Sequence, residues 1–209
     1  MLTLLVAAVL NGEPPMFTSG PAVEAQLKAG KAPVSLGGTV ERVTTGKKGT
    51  LGTAIVLDDG TVVWLGYGAP PKGWEPLLGK FVHVEGTLQS QSPASPQSMM
   101  APHLASPGKP IVVKRELSKL VDQPIRLVGT AENTKGGAVV LVEGQPVYIE
   151  KKESWPDTLR GKRVGLGGNL TRAQHLPQAT VNAKGEISQG TTGASSEYVL
   201  RAPTEPTAF

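Results

Sequence analysis

The chain has 209 residues, a formal net charge of +4 and a pI near 9.3, which suits one large domain or two of about 100 residues. Charged residues make up 18% of the chain, and 26 glycines with 18 prolines indicate many turns and little helix. The charge is too small for a protein that packages DNA. The absence of cysteine excludes disulfides, thiolate metal sites and a cysteine nucleophile.

The N-terminal run MLTLLVAAVL is almost wholly apolar. It is too short to cross a bilayer, but it has the length of the apolar core of a secretory signal. No Lys or Arg precedes it, so two other interpretations stay open: a strand packed on the first domain, or a misplaced start codon that truncates a longer signal. We predict an apolar segment and linker at residues 1–22, no integral membrane span, and a periplasmic or cell-envelope location, with the cytoplasm as the alternative.

The first copy of a repeated pattern begins with a short helix at Pro21–Lys31, which ends at a glycine. Its counterpart in the second copy is Arg115–Gln123. Each helical segment leads through a proline into a strand in which apolar residues alternate with polar or small ones, at 34–40 and at 125–131. This alternation predicts a strand with one buried face.

A hairpin follows in each copy, at 54–65 and at 138–149. The first has Asp58-Asp59-Gly60 between its apolar runs, a strong hairpin signal. A proline-containing connection with one Trp then leads to a fourth strand. After a long polar loop, a last short strand is predicted at 111–113 in the first copy and at 198–200 in the second.

The repetition is clearest in GWEPLLGKFVHVEGTL, at 73–88, and SWPDTLRGKRVGLGGNL, at 154–170. The spacing between equivalent residues changes only in predicted loops, as expected of two copies of one fold. We therefore predict an internal duplication with domains at 23–113 and 114–202. The Pro- and Thr-rich tail at 203–209 is predicted to be disordered.

Five short strands per copy, a compact Trp-bearing segment between the third and fourth, and glycines in the first and fourth resemble the OB-fold. The pattern Leu-x-Gly-x-Val, Leu-Asp-Asp-Gly-Thr and Gly-Lys-x-Val-x-Val-x-Gly carries this resemblance over residues 23–202. It implies an all-β protein of two tandem five-stranded OB-fold-like barrels. The helix usual between strands three and four is reduced to a few residues, which leaves an SH3-like barrel or a β-sandwich module as the alternative.

Catalytic, cofactor and metal motifs are missing from the sequence, so we predict a protein that is not an enzyme and has no cofactor or metal. His83 is expected on the outer face of its strand, and His103 and His175 in surface loops. Turn chemistry accounts for Asp58 and Asp59.

The matched positions of Trp74 and Trp155 predict that each plugs the bottom of its own barrel. Trp64 and Tyr148 alternate with inward-facing residues of the third strand, so we expect them to point outward, on the face where OB-folds bind oligonucleotides or oligosaccharides. An exposed aromatic ring on that face is a stacking platform. The candidate ligand-binding residues are Trp64, Tyr148, Lys47, Lys48, Lys135, Lys151 and Lys152. The competing interpretation is that the two rings are covered by the partner domain or by the long loop.

These features favour a non-catalytic binding or scaffold protein of the bacterial cell envelope. Its partner would be another protein or an envelope component. The alternative is a single-stranded nucleic-acid-binding protein that uses the exposed aromatics and lysines.

Overall fold

The computed structural model describes residues 16–30, 33–45, 50–90, 102–176 and 196–208. The protein is mostly β and contains a closed five-stranded barrel. It divides into two compact units, Met1–Arg115 and Glu116–Phe209, where the sequence predicts a boundary after residue 113. Within the described ranges, no helix has the length and apolar character needed to cross a membrane.

The first unit is built around a ring of five strands. β6 pairs with both β4 and β5, and β2 pairs with both β3 and β5, while β1 and β7 lie at the two ends of the strand order. The elements in chain order are β1 (Met16–Phe17), α1 (Gly20–Ala29), β2 (Pro33–Thr45), β3 (Thr50–Val56), β4 (Val62–Tyr67), a 3-10 turn (Glu75–Leu77), β5 (Phe81–Gln89), β6 (His103–Ala105) and β7 (Ile111–Val112).

The predicted first helix is confirmed as α1. A proline in its first turn is compatible with helical geometry, and Gly30, with φ of 105°, ends it. The predicted linker at 1–22 is wrong over its last residues, because β1 pairs with β2 and buries Phe17 in the core that also holds Val23 of α1. Residues 1–15 lie outside the described residues.

The second unit repeats these pairings: β12 contacts both β10 and β11, and β8 lies between β9 and β11. The elements in chain order are a 3-10 turn (Leu117–Leu120), β8 (Gln123–Thr134), β9 (Gly137–Val142), β10 (Gln145–Ile149), β11 (Arg163–Ala173), β12 (Glu197–Arg201) and β13 (Thr207–Ala208).

The predicted helix at 115–123 is wrong, since only a four-residue 3-10 turn forms there. Asp122 has a φ of 62°, and its N–H donates to the Leu170 carbonyl at 2.7 Å. The chain is thereby turned into β8 before a helix can extend.

The last strand of the first copy also differs from the prediction. β6 is parallel to β4 and antiparallel to β5, as β12 is to β10 and β11. Leu104 of β6 and Leu200 of β12 pack beside the equivalent strand glycines Gly86 and Gly168. The equivalent of β12 is therefore β6, at His103–Ala105, and not the predicted 111–113.

β7 is instead the equivalent of β13. β7 pairs with the start of β5, and β13 pairs with the start of β11. In both units a kink in the left-handed region precedes this second short strand, at Ser106 (φ 48°) and at Ala202 (φ 47°). The prediction of a disordered tail is wrong for 203–208, because β13 pairs with β11 and the Thr204 N–H donates to the Gly167 carbonyl at 2.9 Å.

The tryptophans at matched positions of the two copies lie in the cores of their units. Trp74 belongs to the core of the first unit and Trp155 to that of the second, and both are buried. Trp155 also donates its Nε1–H to the Val139 carbonyl at 2.8 Å. Burial of both residues is as the sequence predicts, and the more specific role, in which each closes the bottom of its own barrel, stays a prediction.

Candidate functional site

One row of side chains crosses the outer face of each sheet, since residues opposite each other in neighbouring strands share a face. Both rows begin with a glutamate on the first strand of the ring and have an aromatic residue on the third. The row is Glu41, Ala54, Trp64 and His103 in the first unit, and Glu132, Val139, Tyr148 and Val199 in the second. We call these rows the first and second outer faces.

The second outer face is closed by apolar packing. Tyr148 is only 7% exposed and forms a cluster with Val139 and Val199 that is separate from the main core. The His175 ring lies 4.4 Å from the Tyr148 ring, and His175 Nε2 lies within hydrogen-bonding distance, 2.8 Å, of the Gly136 carbonyl oxygen. The prediction of an exposed ring is therefore wrong for Tyr148, because the residues that begin the long loop cover it.

Trp64 on the first outer face is also buried, with 5% of its surface exposed. Its ring stacks on Tyr67 at 5.3 Å between centroids, and glycine at position 52 leaves room for it, since a Cβ there would lie 2.6 Å from the ring. The backbone N–H of Trp64 donates to the Pro102 carbonyl at 2.9 Å. Trp64 is thus no exposed platform, and the more accessible ring of the stack is the half-buried Tyr67, which the sequence did not single out.

The sequence predicts His103 in a surface loop, and this prediction is wrong, because His103 lies in β6 opposite Trp64. It is 8% exposed, and its buried Nδ1 has no hydrogen-bond partner among the residues that the structure describes. Burial lowers the pKa of His103, so that the imidazole is held neutral at neutral pH. The sequence could have drawn attention to His103 only through its equivalence to Val199, and that equivalence depends on recognising β6 as the counterpart of β12.

The predicted cations are divided between the units. Lys47 and Lys48 lie outside the described residues. Lys135 and Lys151 are exposed at one end of the second unit, where the Ala138 N–H donates to the Lys152 carbonyl at 3.0 Å.

Lys152 forms a cation–π contact with the core residue Trp155, since its Nζ lies 4.8 Å from the centre of the Trp155 ring. The turn that carries Lys135 also contacts Tyr148 through Gly136. The only ring contact of these lysines in the described part of the chain is therefore that of Lys152 with the buried Trp155.

The two aspartates of the first hairpin have separate roles. Burial raises the pKa of Asp59, but hydrogen bonds from Gly20 and Thr61 outweigh burial, and the pKa is lowered. Asp58 forms a two-bond ion pair with Arg115, at 2.6 and 2.9 Å. Both residues lie in the turn, as predicted, and Asp58 has in addition the ion pair with Arg115, which the sequence does not indicate.

The described residues contain no group of three or more His, Cys, Asp or Glu side chains arranged to hold a metal ion. A scan against protein-family models and searches of curated proteins and of solved structures found no match for this chain. The difference between the two outer faces is therefore the strongest indication of function.

Proposed function

We propose that the chain is a non-catalytic binding or scaffold protein of the cell envelope, built from two OB-like barrels, in which the first outer face binds the ligand. The pairing of β12 with both β10 and β11 supports a second barrel like the first. In both units the last strand of the ring lies between the third and fourth, as in a Greek-key barrel such as the OB-fold. OB-folds bind ligands on the face of strands two and three, which are β3 and β4 in the first unit.

One observation carries the assignment of the ligand to the first unit. His103 Nδ1 is buried beside the Trp64–Tyr67 stack and has no partner in the described part of the chain, whereas the second unit has Val199 within an apolar cluster at this position. A buried nitrogen without a hydrogen bond costs about 1–3 kcal/mol of stability. Since the second unit folds with valine at this position, the fold does not require His103, and a costly polar group is expected where it serves a ligand.

Exchange of the two residues tests this proposal. His103→Val should raise the free energy of unfolding of the first unit by about 1 kcal/mol, because it removes the unpaired nitrogen. Val199→His should lower that of the second unit by about 1–3 kcal/mol. Urea denaturation of the full chain measures both. If His103→Val instead destabilises the first unit by more than 1 kcal/mol, His103 is a structural residue and the proposal is wrong.

The nucleic-acid alternative is tested by titrating the protein with oligo(dT) at several salt concentrations. Release of counterions makes such binding weaken steeply with salt. The burial of Trp64 and Tyr148 removes the two rings on which bases would stack, so we expect no measurable binding at physiological salt. Tight, salt-dependent binding would favour the alternative.

The envelope location rests on the apolar start of the chain and is tested by sequencing the N-terminus of the mature protein. Loss of the first dozen or more residues is the expected result. Retention of Met1 would contradict export.

A further inference from the structure

The first unit has an apolar edge strand that its fold does not require. β7 lies at the end of the strand order, with Ile111 66% and Val112 50% exposed. Its equivalent in the second unit, β13, pairs in the same way with Thr207 and Ala208 at these positions. Exposed apolar edges promote unwanted association, and proteins normally avoid them. The apolar pair therefore needs an explanation other than the stability of the fold.

The hydrogen bonds of β7 leave its outer edge open. The Val113 N–H donates to the Phe81 carbonyl of β5 at 3.0 Å, and Val112 lies opposite Val82. In an antiparallel pair, successive residues direct their backbone groups alternately toward and away from the neighbouring strand. Val112 therefore directs its N–H and C=O away from β5, and β7 pairs with no strand other than β5 in the described part of the chain.

We propose that β7 docks an extended segment of another protein, which adds one strand to the sheet and packs apolar side chains on Ile111 and Val112. Main-chain hydrogen bonds to Val112 would give affinity, and alternate side chains would give specificity. Lys109 is exposed just before β7, and the chain carries a net charge of +4, so the segment is expected to carry acidic residues at the end beside Lys109. This proposal concerns a surface separate from the first outer face.

A second copy of the chain is the other occupant to consider, since two β7 strands would also satisfy each other's open edges. The test below separates the two occupants, because self-association would protect the Val112 amide in the absence of any peptide.

The test uses a synthetic blocked peptide, Glu-Asp-Val-Thr-Val-Thr-Val-Asp-Glu, titrated into the isotope-labelled full chain. We expect the amide signals of 111–113 to shift on binding and the exchange of the Val112 amide hydrogen to slow at least tenfold at saturation. A peptide with lysine in place of its acidic residues, and one with proline at its central position, should bind at least tenfold more weakly.

The matched control is Ile111→Thr with Val112→Ala, which gives β7 the residues of β13. Because β13 forms the same pairing with those residues, this variant should fold normally and bind the peptide at least tenfold more weakly. His103→Val should bind it like the unchanged protein, so the two proposals fail independently. Absence of amide shifts at millimolar peptide would overturn the proposal. So would equal binding of the peptide to the double variant, or binding of the lysine peptide as tight as that of the acidic one. Protection of the Val112 amide by self-association would show that a second copy is the occupant instead.

Discussion

The ion pair between Asp58 and Arg115 ties the last residue of the first unit to its hairpin turn. Arg115 Nη1 and Nη2 donate to the two carboxylate oxygens of Asp58 at 2.6 and 2.9 Å, and both side chains are 17% exposed. The guanidinium also lies 4.3 Å from the centre of the Phe81 ring. Two parallel charge-assisted bonds in a partly buried setting are stronger than an ordinary surface pair. We predict that this pair contributes measurably to the stability of the first unit.

The magnitude follows from this geometry. A hydrogen bond to a charged group contributes about 1.5–3 kcal/mol, and residual exposure and the entropy of two ordered side chains reduce the net value. We therefore expect a coupling free energy of about 1–2 kcal/mol between the two residues. Arg115→Gln and Asp58→Asn retain most of the side-chain volume, so their double-mutant cycle isolates the pair from the packing of the arginine stem.

The assay is urea denaturation of the four proteins of the cycle, followed by tryptophan fluorescence, to which Trp64 and Trp74 of the first unit and Trp155 of the second contribute. The control is a cycle on Asp157 and Arg160, whose charged atoms are 3.8 Å apart and whose side chains are 96% and 59% exposed. Exposed pairs of this kind contribute little, so its coupling should stay below about 0.5 kcal/mol. Equal couplings in the two cycles would refute the reasoning that burial and two-bond geometry strengthen the Asp58–Arg115 pair.

Three further predictions concern single residues. Trp155→Ala should cost at least the 3–5 kcal/mol typical of a large aromatic in a core, and more than Trp74→Ala, because it also leaves the Val139 carbonyl without its indole donor; urea denaturation compares the two. Because its pKa is lowered in the folded state, His103 binds fewer protons there than in the unfolded chain. The stability of the first unit should therefore be fully present above about pH 6.5 and decline as the pH falls below it, and a flat profile between pH 7 and 5 by thermal unfolding would contradict this. Ala202→Gly should raise the stability of the second unit by up to about 1 kcal/mol, since glycine accepts the left-handed conformation without strain, and a lower melting temperature would show that chain entropy dominates.

Much of the fold follows from local patterns in the sequence. Alternation and the turn at Asp58-Asp59-Gly60 are signals within a few neighbouring residues, and the strands and hairpins that they predict are present. β6 was not predictable in this way, because His103–Ala105 is too short to show a period and is held by pairing with distant strands. β13 is likewise not predictable, because Thr207–Ala208 is only two residues long and forms a strand through its pairing with the edge of β11.

The candidate site was less predictable than the fold. Alternation correctly places Trp64 and Tyr148 outside the main cores of their units, because the direction of a strand side chain depends only on its register. Their burial depends on residues far along the chain, such as His175 over Tyr148. The unpaired nitrogen of His103 has no sequence signature at all, since it results from the packing around β6.

The kinks at Ser106 and Ala202 bear on the ancestry of the chain. The two residues have different side chains but nearly the same left-handed backbone angle, and each lies between the strand that completes its ring and the short strand beyond it. A non-glycine residue in this conformation is uncommon, so a shared ancestor that already had the bend is the simplest source of both. On this view, each copy already had all of its strands when the gene was duplicated, and the duplication did not assemble one domain from two halves.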